Sequence, residues 1–204
     1  MHQFTVPMGL MDFVPVVFFG VTGVVLLGDL YQKMSKGAFA LFAAGVINVF
    51  TAGFLKALWK TLYAAGICDF VAFEQMFLPV NSLGLLFVGA AMIWMLCAGK
   101  KSAAMSVVPV PFVSGLPFIL MMVLGLGGMC AVLSILSARM KKAPVMVLFI
   151  ASFLLSMGMG YLSGQDSSLA WVNWAEQGIN TASQLCLMTG VLLLHRAGLA
   201  RAAV

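Results

Sequence analysis

Phe13 to Leu30 reads FVPVVFFGVTGVVLLGDL, an apolar run whose one charged side chain, Asp29, stands near its end. A helix that crosses a bilayer needs about 20 mostly apolar residues. The run is long and continuous, whereas a membrane barrel shows short segments of alternating polarity. The same ruler finds five more runs: about Gly37 to Leu58, Phe77 to Leu96, Val113 to Leu136, Pro144 to Leu162 and Ala175 to Leu194. The predicted fold class is an all-α integral membrane protein with six transmembrane helices, forming a single transmembrane domain over residues 1–204.

Composition points the same way. The 204 residues are 63% hydrophobic and 8% charged, against about 25% charged in a soluble domain. A chain this small cannot hide that much apolar surface by folding alone. A soluble enzyme, a nucleic-acid-binding module and a disordered tail are excluded. The formal charge of +5 is not a phosphate-binding footprint, because the Lys and Arg sit mostly between apolar runs, where topology and lipid headgroups explain them. The expected surroundings are a lipid bilayer, with no nucleic acid. Cys68, Cys97, Cys130 and Cys186 are scattered, form no CxxC, and read as small packing residues. No basic region precedes the first apolar run, so a cleaved signal peptide is not expected.

Short polar segments separate the runs: Tyr31 to Lys36, Gly99 to Ser102, Arg139 to Lys142 and Gly164 to Ser168. Trp59 to Met76 is amphipathic, suited either to the interface or to extending the neighbouring helices. With strict alternation of six spans both termini fall on one side. An inside N-terminus then puts Lys56, Lys60, Arg139, Lys141, Lys142, Arg196 and Arg201 inside, against Lys33, Lys36, Lys100 and Lys101 outside. The bias is slight.

The halves, about 1–103 and 104–204, can be superposed. Lys33-Met34-Ser35-Lys36 resembles Arg139-Met140-Lys141-Lys142, each followed by an apolar span. Phe73-Glu74-Gln75 resembles Ala175-Glu176-Gln177, each preceding the last span of its half. Three spans per half predict a 3+3 inverted repeat, an arrangement common in transporters.

Polar groups at membrane depth are few, and function is sought there first. Asn48 and Thr51 share a helix face in the second span, as do Asn180 and Gln184 in the sixth. Such groups serve either as interhelical glue or as a wet lining. Glu74 and Asn81 flank the start of the third span, and Glu176 opens the sixth. Neither glutamate is at ease facing lipid, so each is expected at a cavity, an interface or the headgroups. No span carries Lys, Arg or His at its centre. His2 and His195 lie near the chain ends, the carboxylates form no dyad, and no metal site, cofactor or enzymatic chemistry is expected.

Three stretches resemble the urea/amide channel family, of the acid-activated urea channel and amide transporter type. Phe19 to Gly28, followed by the basic Lys33-Met34-Ser35, resembles that family's opening helix. Leu83-Gly84-Leu85-Leu86-Phe87 resembles its third-helix motif Thr-Gly-Leu-Leu-Phe, and Glu176 to Ala182 resembles its sixth-helix Glu-Gly-Ile-Leu-Thr-Ala with one residue inserted. The departures are a fifth span without tryptophan, Leu83 in place of the motif Thr, and no histidine-rich loops. The resemblance implies a homohexamer with a pore through each protomer, an outside N-terminus, and a pore constriction at Leu86, Phe87 and Glu176. The chain is also similar to the acetate uptake transporter (succinate–acetate permease) family. Pro7-Met8-Gly9-Leu10 and the spacing of Gly45, Ala52 and Gly53 carry that likeness, while Val46, Val49 and Lys56 depart from it.

The sequence thus predicts a bacterial inner-membrane channel or transporter for a small neutral solute such as urea or a short amide. Its pore-lining polar residues are expected to be Asn48, Thr51, Glu74, Asn81, Asn180 and Gln184. The alternatives are a transporter for a small monocarboxylate such as acetate, and a non-transporting scaffold or sensor subunit.

Overall fold

The computed structural model describes residues 5–98, 115–162 and 170–202 and is all-helical there, with no strand among the described residues. A short helix, α1 (Val6–Met11), leads at Asp12 into α2 (Phe13–Leu30). Then follow α3 (Lys36–Ala64), α4 (Val71–Ala98), α5 (Leu116–Arg139), α6 (Ala143–Leu162), α7 (Ala170–Arg196) and a 3-10 turn (Leu199–Arg201). Each apolar run has become a helix. The amphipathic stretch 59–76 extends both of its neighbours, leaving only residues 65–70 as a turn with Gly66 at φ +70°. The predicted start of the fourth span at Val113, the loops Gly99 to Ser102 and Gly164 to Ser168, and His2 lie outside the described residues.

Local chemistry sets the helix ends. The Ser35 hydroxyl accepts a bond from the Ala38 N–H and caps α3. Lys141 takes the left-handed conformation (φ 57°), and the Lys142 N–H reaches back to the Ser137 carbonyl, closing α5 before α6 starts. Within the helices, the hydroxyls of Thr22, Thr61, Ser82 and Ser137 bond to the carbonyl four residues back. A lone hydroxyl in an apolar setting is satisfied that way without a partner helix.

Four helical stretches are long and apolar enough to cross a membrane: Val6–Leu30, Lys36–Ala64, Val71–Ala98 and Leu116–Arg139. In α6 the apolar stretch is shorter, Ala143–Met159, and α7 carries more polar side chains than any other helix. The outer surface is apolar at large side chains: Val24 is 71% exposed, Leu124 66% and Leu154 62%. Continuous exposure of this kind is costly in water and natural in lipid. Trp171 and Trp174 at one end, and Tyr31 at the other, are exposed aromatic side chains of the type that sits at headgroup level.

The six long helices form a closed ring in chain order, α7 returning to α2. Small residues let the backbones meet. A β-carbon on Gly45 would stand 2.6 Å from the Gly84 carbonyl oxygen, and one on Gly125 would strike the Leu85 carbonyl. These contacts also fix direction. Gly23 meets Val46 and Gly20 meets Phe50, so α2 and α3 are antiparallel; Gly45 meets Val88 and Val49 meets Gly84, so α3 and α4 are antiparallel too. Between α4 and α5 the order is different: Leu78 meets Gly115, Leu85 meets Gly125, and Ile93 meets Gly128. Those two helices run in the same direction. In the second half Phe149 meets Gly190 and Ser156 meets Ser183, an antiparallel pair. Finally, α2 and α7 are parallel, tied by Met8 to Gln177 at one end and Asp29 to His195 at the other.

The triplets α2–α4 and α5–α7 therefore have the same up–down–up sense. This corrects the inverted repeat expected from counting three spans per half. The superposed motifs themselves occupy equivalent places: Lys33 to Lys36 and Arg139 to Lys142 lie at one end of the ring, Glu74 and Glu176 at the other. The expectation that both termini share a side is corrected as well. Helix α1 packs beside Thr61 and Gln177 at one end, hereafter the α1 end, while Ala202 accepts a bond from Lys33 at the opposite, basic end. The assignment of Lys33 and Lys36 to the side opposite Arg139, Lys141 and Lys142 falls with it.

Candidate functional site

Two regimes divide the interior along the ring axis. Toward the basic end the central core is closely packed, although a second cavity of about 300 Å³ lies there against Ser35, Gly37, Ala38, Leu41 and Trp94. Leu30, Phe42, Met92, Leu133, Leu136, Leu187 and Leu194 are each 0% exposed, with Leu26 and Met95 at 1%. Toward the α1 end a cavity of about 310 Å³ opens between the helices. All six long helices contribute to it: Pro15, Val16 and Phe19 of α2; Val49, Phe50 and Gly53 of α3; Phe77, Asn81 and Leu85 of α4; Ile119, Met122, Val123 and Leu126 of α5; Ser156, Met157 and Met159 of α6; and Asn180 and Gln184 of α7. The volume is at the lower end of the range of small-molecule sites, and the recipe, apolar walls with a few polar groups, is theirs as well.

Among the described residues four polar side chains line the cavity, and none of the described lining residues is charged. Asn81 is 8% exposed. Ser156 Oγ lies 2.7 Å from Ser183 Oγ, and Ser183 in turn donates to the Ser152 carbonyl at 2.8 Å, so the α6–α7 side of the wall is cross-linked. Gln184 carries a buried Oε1 with no hydrogen-bond partner. Such a set of amides and a hydroxyl can hold a solute by directed hydrogen bonds, and its neutrality leaves nothing to balance a buried ion.

Charged groups gather outside the cavity, at the α1 end. Lys60 and Asp12 pair at 3.0 Å. The Lys56 ammonium stands 4.0 Å from the centre of the Phe77 ring, itself a cavity wall, and lies within electrostatic range of Asp12, Glu74 and Glu176. Trp59 donates from its ring N–H to Asp69 at 2.8 Å. Both glutamates singled out from sequence thus belong to this charged layer, Glu74 exposed and Glu176 half-buried, and neither lines the cavity.

Of the expected pore-lining residues, Asn81, Asn180 and Gln184 are brought together and Asn48 and Thr51 are not: Asn48 is half-buried outside the lining and Thr51 is exposed on the outer face of α3. The residues that the resemblance implies as a constriction do not share the cavity lining with one another. Leu86 and Phe87 are half-buried outside the lining, and Leu85 takes their place. The reason is helix phase: the peptide joining Leu85 to Leu86 is pressed against Gly125, which turns Leu85 inward. Sequence reasoning missed Ser156 and the aromatic walls Phe19, Phe50 and Phe77. Ser152 and Ser156, four apart on α6, were the available signal, since that spacing places both on one face. No group of three or more His, Cys, Asp or Glu comes together among the described residues.

Compared with known proteins, the chain matches no family model, no curated protein and no solved structure.

Proposed function

We propose that the protein is a six-span membrane transporter for a small uncharged solute such as urea or a short amide, which it takes up in the cavity at the α1 end. The carrying observation is the cavity itself, an open pocket to which all six long helices of one chain contribute and which is lined by Asn81, Ser156, Asn180 and Gln184, with no charged group among the described lining residues. A monocarboxylate would bring a charge into a lining that holds no cation among its described residues, the Lys56 ammonium standing behind the Phe77 ring with acidic groups around it, which favours the neutral solute. The short motifs resembling the urea/amide channel family point to the same solute class.

The closely packed central core at the basic end favours a transporter that alternates between two states over a permanently open pore. A solute in the cavity meets Leu26, Phe42, Met92, Leu133 and Leu187 ahead of it, and passage requires those helices to separate. The hexamer that the resemblance implies is not needed for this path, because one protomer supplies the whole lining.

The direction of the helices gives a clear charge asymmetry. Lys33, Lys36, Arg139, Lys141, Lys142, Arg196 and Arg201 all lie at the basic end, whereas Asp12, Asp69, Glu74 and Glu176 share the α1 end with Lys56 and Lys60. Basic residues in short loops mark the cytoplasmic face. We therefore orient the basic end inward, in a bacterial inner membrane, with the cavity toward the outside.

Uptake of labelled urea, acetamide and acetate into proteoliposomes tests this reading. Saturable uptake of urea or acetamide that acetate does not inhibit is the expected result. Uptake of acetate alone would replace the solute class, and uptake of none would remove the transport function.

A further inference from the structure

One face of α7 holds three buried oxygen atoms without a hydrogen-bond partner: Gln177 Oε1, Thr181 Oγ1 and Gln184 Oε1. Their spacing, four and then three residues, puts them in a line along that helix. At a rise of about 1.5 Å per residue the line is about 10 Å long. It starts beside Met8 of α1 and ends at Gln184 in the cavity wall.

An unpartnered buried acceptor is expensive, and native interiors hold few of them. Three in register on one helix ask for a purpose. The orientation of the first is fixed by its neighbour. Gln177 Nε2 donates to the Met8 carbonyl at 2.8 Å, and a carbonyl can only accept, so Oε1 is the end left over. The same helix also shows how a polar side chain looks when its task is packing. Ser183, 0% exposed, contacts Ser152 and Ser156 and donates to a carbonyl, leaving nothing unsatisfied.

We propose that Gln177, Thr181 and Gln184 form an acceptor ladder that binds the N–H groups of a neutral primary amide or urea-type solute and leads it from the α1 end into the cavity. The inference rests on the transport reading given above and narrows its substrate class. Recognition lies in donors carried by the solute, so a molecule of similar size whose nitrogen bears methyl groups lacks the contact that the ladder offers.

Acetamide and N,N-dimethylacetamide are the probes, each measured twice: by its shift of the melting temperature of the purified protein in detergent, and by competition with labelled urea uptake into proteoliposomes. Acetamide is expected to bind and compete at least tenfold more strongly. Thr181→Val and Gln184→Met keep the side-chain volume while removing an acceptor. Each is expected to lower acetamide binding at least fivefold while melting at or above the wild-type temperature, because an unsatisfied group has gone; a merely structural polar residue would lower the melting temperature instead. Equal binding of the two probes, or variants that bind acetamide as the wild type does, overturns the ladder even where urea uptake persists. Selective acetamide binding, lost in the variants but without uptake of any solute, upholds the ladder and removes the transport reading.

Discussion

Asp29 and His195 lie 2.9 Å apart at the basic end, joining α2 to α7 across 166 positions of chain. The two partners are unequally placed: the Asp29 side chain is 4% exposed and that of His195 54%. The contact bridges the first helix of one triplet and the last helix of the other, at the end where the central core is closely packed.

That inequality sets the order of two substitutions. His195→Ala strips the partner from a buried carboxylate, and we expect a loss of about 2 kcal/mol, the exposed half of the pair discounting the larger figure for fully buried pairs. Asp29→Asn leaves an amide that still bonds the imidazole, with His195 reaching water, and should cost about 1 kcal/mol or less. Melting of the two variants in detergent checks the order; an Asp29→Asn protein that melts lower than His195→Ala would contradict it.

Lys33 neighbours this pair and donates to the Ala202 carbonyl. Loss of hydration holds its ammonium below the ordinary lysine value of 10.5, with Asp29 opposing the shift. The folded chain releases that proton before the unfolded chain does, so the unfolded state binds more protons in the window below 10.5, and stability rises with pH there. We expect the difference in melting temperature between wild type and Lys33→Met to move in favour of the wild type as the pH is raised toward the ordinary lysine value. A difference that stays flat, or moves the other way, would place Lys33 in ordinary solvent.

Gly125 and Gly158 make a contrasting pair. A side chain on Gly125 would meet the backbone of Leu85 and Leu86, while a β-carbon on Gly158 meets nothing within 4 Å. Gly125→Val should prevent recovery of folded protein, because two packed backbones have no way to yield. Gly158→Ala should be neutral or raise stability by up to about 1 kcal/mol through helix propensity. Expression yield and monodispersity in detergent report the first outcome, melting the second.

Parallel α4 and α5 put α1 and the described C-terminal residues at opposite ends of the ring, and so on opposite faces in the six-span arrangement proposed above. A reporter active only outside the cytoplasm should score when fused at the N-terminus and stay silent at the C-terminus, with a cytoplasmic reporter giving the reverse. Signals from the same side would contradict the parallel pairing, and the reversed pair of signals would contradict the inward basic end.

The helices were legible because each apolar run was long enough to be one. The expected repeat rests on polar signatures that Lys33 to Lys36 and Glu74 share with Arg139 to Lys142 and Glu176. Its sense was not legible, since alternation of spans was assumed across residues 99–114, where Pro109, Pro111, Lys100 and Lys101 interrupt any apolar run of spanning length. Within the site, Asn81, Asn180 and Gln184 were found as polar groups in apolar runs. Thr51 and Leu86 were misassigned for another reason: a helix apolar on all sides offers no stripe from which to read its rotation, and one residue turns the side chain by about 100°. Only contact with a neighbour, here Gly125 against the Leu85 backbone, sets that angle.

The ring has two seams between its triplets, α4 against α5 and α7 against α2, and each joins the last helix of one triplet to the first helix of the other, side by side and parallel. Seams of that kind also arise where two copies of a three-helix unit meet about a twofold axis. Two separate three-helix chains in the same orientation would close such a ring by pairing with each other, each copy supplying both kinds of edge.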